Sequence, residues 1–323
     1  MKKVVITGAN GFIGSRLAAY LQQKGYDVVC LVRQGSDTSL LSNSSQIKYI
    51  DYHTPDSWQE AFAGCQILIH AAALTRARKW ADFQKTNIDL VEQLISFTNT
   101  LPGFEQFIFL SSQAASGPAK SGFGKTESDD CYPISSYGKS KLAAEQIIQK
   151  SSMPWTIFRP VSVFGPGEKD FYQYYKMIQK GIAPLIGISD KHISLVYVDD
   201  LCAMIELSIA KESAYNQCFF AAGVESVSMA GFAYIIAEAL DRKIFELSIA
   251  VPILYVAACF SEIFALGRKT IPVFNRKKLR EMNQRYWLAS HRKVIEILGW
   301  QPDMTLARQM QITIKWYKER KLL

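Results

Sequence analysis

One stretch limits what this chain can fold into more than any other: Val4-Val5-Ile6-Thr7-Gly8-Ala9-Asn10-Gly11-Phe12-Ile13-Gly14. Lys3–Thr7 reads as a short buried strand, three glycines follow with the spacing G-x-x-G-x-x-G, and Phe12–Lys24 reads as an amphipathic helix ended by Gly25. A Cβ within such a turn blocks the tight reversal and the approach of an anion. The helix start then offers unpaired N–H groups and the positive end of its dipole. Strand, glycine turn and helix together predict a cradle for the pyrophosphate of a dinucleotide, built from Gly8, Gly11, Phe12, Ile13 and Gly14.

The pattern repeats downstream. Asp27–Val32, Ile47–Ile50, Gln66–His70, Phe104–Ser111 and Trp155–Phe158 read as apolar strands, with long helices expected at Ala81–Leu101 and Ser135–Lys150. Strands apolar on both faces and separated by helices predict an α/β fold with a doubly wound parallel sheet. At 323 residues the chain sits near the size at which one core starts to split. The expected division is a nucleotide-binding unit over 1–165, with sheet contributions from about 190–222, and a smaller, mainly helical substrate-binding region over 166–323. Pro166, Gly167, Pro184 and Gly187 break up a Tyr- and Phe-rich start to that second part. A strand at Ser194–Val198 and a helix at Asp199–Ala210 follow, then helical segments from Ser228 that include an apolar one at Val251–Leu266.

The second strand is expected to set the cofactor. NAD sites place a carboxylate about 20 residues beyond the glycines, on the ribose 2′-hydroxyl. Here that strand ends Arg33-Gln34-Gly35-Ser36, with no carboxylate before Asp37. An arginine there pairs with a 2′-phosphate, so NADP(H) is favoured over NAD(H). Further on, Tyr137 and Lys141 lie four apart on one helix face. A neighbouring ammonium favours the phenolate, which makes the pair a proton shuttle for hydride transfer.

Composition removes other classes. The six cysteines, Cys30, Cys65, Cys131, Cys202, Cys218 and Cys259, form no C-x-x-C pair, which fits reduced thiols in a cytoplasmic protein rather than a disulfide framework or a metal site. Glycines interrupt the apolar start, so it is not read as a signal peptide. The longest uncharged stretch, Leu247–Ser261, is too short to cross a bilayer. The net charge of +8 comes from one end, since residues 268–323 hold 14 Lys/Arg against 4 Asp/Glu. No zinc-finger or RNA-binding signature accompanies it, so nucleic-acid binding is not expected.

These pieces together resemble the extended short-chain dehydrogenases/reductases, the NAD(P)-dependent epimerase/dehydratase group, over essentially the full length. The resemblance is carried by Thr7–Gly14, His70-Ala71-Ala72-Ala73, Asn87, Phe109-Leu110-Ser111-Ser112, Tyr137-x-x-x-Lys141, Arg159–Gly167 and Val196-Tyr197-Val198-Asp199-Asp200. It implies a Rossmann-type fold with Tyr137 as acid/base. Lys141 is implied on the nicotinamide ribose, lowering the tyrosine's pKa, with Ser112 on the reacting oxygen. It further implies Ala71, Ala72 and Ala73 beneath the cofactor, Asp51 and Tyr52 beside the adenine, and Ser111, Pro160 and Val163 at the nicotinamide end. Asn87 is read as bracing its helix against the fourth strand, and His70 as a core residue.

Gln113-Ala114 stands where the family's dehydratases carry a carboxylate pair, which argues against water loss. Leu31-Val32-Arg33 and the apolar segment at 251–266 are similar to the dihydroflavonol-reductase and sterol-dehydrogenase branch. The expected reaction is therefore reduction of a ketone, or oxidation of a secondary alcohol, on an apolar small molecule. Thr75, Trp80, Gln113 and Phe171 are the substrate-binding candidates, with Phe83, Tyr172, Tyr174 and Tyr175 as further pocket aromatics. The alternatives are a nucleotide-sugar epimerase, with Arg76, Arg78, Lys79 or the Arg276–Arg280 run gripping a diphosphate, and a non-enzymatic NADP sensor. A homodimer through Ala81–Leu101 and Ser135–Lys150 is implied. The apolar segment is read as a lid or dimer helix in preference to one resting on a membrane.

Overall fold

Alternating residues of the first strand point to opposite sides of a sheet, and both sides are covered. The computed structural model describes residues 1–42, 45–52, 54, 57–187, 189–264 and 274–323. In chain order its strands are β1 (Lys3–Thr7), β2 (Asp27–Arg33), β3 (Gln46–Ile50), β4 (Ile67–His70), β5 (Gln106–Leu110), β6 (Trp155–Pro160) and β7 (Ser162–Phe164). There follow β8 (Ile182–Ile186), β9 (His192–Tyr197), β10 (Gln217–Ala221), β11 (Ser226–Ser228), β12 (Phe245–Ile249) and β13 (Tyr286–Trp287). The helices are α1 (Phe12–Gln23), α2 (Trp58–Ala61), α3 (Trp80–Phe83), α4 (Leu90–Thr98), α5 (Gln113–Ser116) and α6 (Ser136–Ile148). They continue with α7 (Tyr172–Gln179), α8 (Val198–Ser208), α9 (Met229–Leu240), α10 (Val251–Phe264), α11 (Arg276–Met282) and α12 (Leu306–Glu319).

Seven strands form the main sheet in the order β10-β6-β5-β4-β1-β2-β3, every neighbouring pair parallel. On one face Val4 and Ile6 meet Leu17 and Leu21 of α1 and Leu201 and Ile205 of α8. On the other, Val5 and Phe107 meet Val91 and Leu94 of α4 and Ala144 and Ile148 of α6. This is the expected doubly wound Rossmann-type sheet. Strand order reverses between β1 and β4, the place where such sheets open a binding crevice. The long helix expected at Ala81–Leu101 is α3 and α4 joined through a π-helical segment, Gln84–Asp89.

The second part departs from expectation. Of the stretch 190–222 only β10 joins the main sheet. The strand β9 instead pairs with β7, β11 and β13, and β8 with β12, so two small sheets stand beside the helices that make up most of the region's regular structure. The reason is that β7, β11 and β13 are two or three residues long. Such strands show no periodicity of their own. A third core lies here, where β9 packs Ile193, Leu195 and Tyr197 against α7, α9 and α12. The end of the expected Val251–Leu266 helix, Ala265 and Leu266, lies outside the described residues.

Candidate active site

The glycine turn closes as its spacing requires. Gly8 has φ +67°, and a Cβ there would lie 2.6 Å from the Ala72 nitrogen. A Cβ on Gly14 would lie 2.2 Å from the Gly8 carbonyl oxygen. Gly14 is thus where α1 packs closely against the turn. Gly11 caps α1 with no side-chain hydrogen bond, and the first turn holds no acidic residue. Its N–H groups and dipole are therefore left for an anion. Phe12 and Ile13 are half-buried in that turn, with Ile13 against the core.

A cavity of about 1050 Å³ opens beside this turn. Gly8 and Gly11 line it with Arg33, Asp51, Tyr52, Ala71, Ala72 and Ala73, and the π-helical segment supplies Gln84, Lys85, Thr86 and Asp89 opposite. Eight of the residues expected at the cofactor therefore share one wall system. Tyr137, Lys141, Ser111, Ser112, Pro160 and Val163 do not line this cavity. Pro160 ends β6 and is buried, and Val163 is half-buried in β7.

The acid/base residues come from two helices held very close. Ser112 caps α5, its Oγ accepting from the Ala114 N–H at 3.1 Å. Ser135 caps α6, its Oγ accepting from the Gly138 N–H at 3.2 Å. A Cβ on Gly138 would lie 2.2 Å from the Ala114 oxygen, so glycine at this position lets the two helices touch. That contact brings the Tyr137 phenol beside the Ser112 hydroxyl, which eases its ionisation. Burial nevertheless dominates and pushes the phenol up to about 12, with the Glu281 carboxylate of α11 adding to the rise. Lys141 was expected to lower it. The lysine, itself buried against the Phe109 ring at 3.9 Å, is pushed down to about 7 by desolvation, opposed by Glu145. The same burial therefore acts against both charged forms, and the phenol holds its proton.

Behind this pair lies a polar network. Arg159 and Glu145 form a buried ion pair at 2.6 Å, and Arg159 Nη2 also reaches Cys131 Sγ at 3.2 Å. The Ser111 hydroxyl donates to Glu145, so its side chain is committed inward and only its backbone remains for a cofactor. Asn87, in the π-helical segment, accepts from the Leu74 N–H at 2.8 Å and donates to Ser140 at 2.9 Å, bracing the loop after β4 against α6. His70 is fully buried with its Nδ1 2.7 Å from Thr7 Oγ1. Desolvation, with Lys141 nearby, depresses it to about 3, so it is a neutral core group. Sequence reasoning missed Glu145, Gly138 and Glu281. The first two stand beside the Tyr-Lys motif, whereas no local signal ties Glu281 to Tyr137.

The substrate candidates separate. Thr75 and Trp80 are exposed after β4 and at the start of α3. Gln113 is buried, and its Nε2 has no partner among the described residues. Phe171, half-buried, packs its ring 5.3 Å from Phe232 and 6.3 Å from Tyr175. Tyr174 stacks on Phe232 and Tyr172 on Tyr317, and Tyr175 is buried with them, which makes all four the core of the second region. Phe83 is buried in α3. Arg76 is paired with Asp170 at 2.9 Å.

The sequence profile of the NAD dependent epimerase/dehydratase family matches residues 4–218. The chain belongs to that family. A UDP-glucose 4-epimerase of Vibrio cholerae is 29% identical over 320 residues, covering 94% of this chain and 92% of the relative. A ceramide reductase of Caulobacter vibrioides is 22% identical, covering 98% and 94%. Among solved structures, a UDP-glucose 4-epimerase with UDP-glucose from Thermotoga maritima superposes with a TM-score of 0.78 at 21% identity, covering 99% of each chain. Epimerase/dehydratase proteins are NAD(P)-dependent, and the site fits a nicotinamide dinucleotide on its own geometry. The cradle at Gly8 leaves no room for a Cβ, the N-terminus of α1 is uncapped, and Lys141 Nζ has no hydrogen bond among the described residues.

Proposed function

We propose that this family member reduces a ketone, or in reverse oxidises a secondary alcohol, on an apolar small molecule, with NADP(H) as the preferred cofactor. One observation carries the reading: Tyr137, half-buried, stands beside Ser112 and on the same helix as Lys141. The cofactor supplies the hydride. Ser112 orients the carbonyl oxygen by hydrogen bonding, and Tyr137 gives that oxygen its proton as negative charge builds on it. Lys141, pushed down to about 7 by burial, would hold the nicotinamide ribose hydroxyls and return a proton to the tyrosine. Arg33, exposed on the cavity wall at the end of β2, supports a 2′-phosphate.

Two of the cations named for a diphosphate grip are already held by carboxylates, which supports an apolar substrate. Arg76 is engaged by Asp170 and Arg276 by Glu262. A nucleotide-sugar epimerase is the second reading, favoured by the 29% relation to the Vibrio cholerae enzyme. Net redox separates the two. Purified protein given NADPH and a panel of apolar ketones is expected to consume the cofactor stoichiometrically. Tyr137→Phe should lose roughly 10²–10⁴-fold in turnover while still binding NADP. Interconversion of UDP-sugars with no net cofactor change, and no oxidation of NADPH by any ketone, would replace this reading with the second.

A further inference from the structure

The helix α10 wears its apolar face on the outside. Ile253, Val256, Phe260, Ile263 and Phe264 recur at the spacing of a single helical stripe, and each is 54–73% exposed. Ala258 is the helix's one buried residue, and Glu262 turns to Arg276. A helix packed as a lid would show the reverse pattern, with the large residues inward. Next to it lies a dense positive patch. The helix α11 is anchored on α10 by two 2.8 Å bonds from Arg276, through its backbone nitrogen and Nε, to Glu262. Beyond Arg276, which Glu262 holds, it carries Lys277, Lys278 and Arg280, all exposed, with Lys278 3.5 Å from Glu281.

We propose that α10 and α11 form a docking surface for an anionic lipid bilayer, with α10 lying flat in the interface. An outward apolar stripe beside a row of cations matches the two attractions that hold an interfacial helix: burial of apolar side chains at the headgroup boundary and pairing with anionic headgroups. The 14-residue helix is about 21 Å long. Among the described residues no helix is long and apolar enough to cross a membrane. A second copy of this chain is the poorer occupant. A two-fold contact through α10 sets each patch against its own image, and Lys277, Lys278 and Arg280 of α11 would then face their like. The surface does not depend on which reaction the chain catalyses, so its test stands apart from the catalytic one.

The experiment is co-sedimentation of the full chain with vesicles, either of phosphatidylcholine alone or with one third phosphatidylserine, over a salt series. Binding is expected to the anionic vesicles at low salt, falling steeply as salt rises. Lys277→Ala/Lys278→Ala should weaken it about five-fold per lysine removed. Phe260→Glu/Phe264→Glu should abolish it with thermal melting little changed, because both rings are already more than half exposed. Equal, salt-insensitive binding to both vesicle types overturns the proposal. So does the absence of vesicle binding, including a dimer in light scattering that Phe260→Glu dissolves.

Discussion

Replacing glycines of the first turn one at a time separates packing from anion approach. Gly8→Ala forces a Cβ at φ +67°, a conformation that costs an L-residue about 1–2 kcal/mol. The new atom also lies 2.6 Å and 2.7 Å from the Ala72 nitrogen and Cα, backbone that cannot swing aside as a side chain does. Overpacking of this kind adds about 1–3 kcal/mol. The expected loss is therefore about 2–5 kcal/mol, a large share of the roughly 5–15 kcal/mol that holds a typical domain together. Gly11→Ala is different. Its φ is −80°, and its nearest contact is the Gly8 oxygen at 3.3 Å. It should cost less than about 1 kcal/mol in stability. It should weaken NADP at least ten-fold, about 1.4 kcal/mol, because the methyl stands at the helix end that faces the cavity. Urea unfolding at constant m-value measures the first quantity, and fluorescence titration with NADP the second. Equal stability losses in the two variants, or unchanged NADP affinity in Gly11→Ala, would refute the reasoning.

Two further outcomes follow from the buried charges. Glu145→Ala strands the Arg159 guanidinium without its partner and should cost about 3–5 kcal/mol, seen as a lower urea midpoint. Lys141 titrates near 7 in the folded chain and near 10.5 unfolded. Between those values the unfolded chain holds a proton that the folded chain has released. Stability should therefore rise with pH across that window, by up to about 1.4 kcal/mol per pH unit, and Lys141→Met should flatten the rise.

Local chemistry in this chain was readable from the sequence because its causes are local. The reversal at Gly8–Gly14, the unbroken apolar run of β1 and the four-residue spacing of Tyr137 and Lys141 each lie within about a dozen residues. The same holds for the small side chains of Ala71–Ala73, which follow β4 directly. Where the sequence reading went astray, the cause was distant. Lys141 was expected to lower the phenol's pKa, whereas desolvation and a carboxylate from α11 raise it. Phe171 and its tyrosine neighbours have the composition of a pocket, but Phe232 and Tyr317 take them up as core.

By itself the amino-acid sequence determined the wound parallel sheet and the glycine turn, and it put the candidate acid/base pair Tyr137 and Lys141 on one helix face, since hydrophobic period and turn chemistry act between near neighbours. Tertiary structure alone decided how β9 leaves the main sheet, which charges surround Tyr137, and which side of α10 meets solvent. Each of those depends on partners far away along the chain, and an apolar helix carries the same pattern whether its outer face is covered by protein or left open.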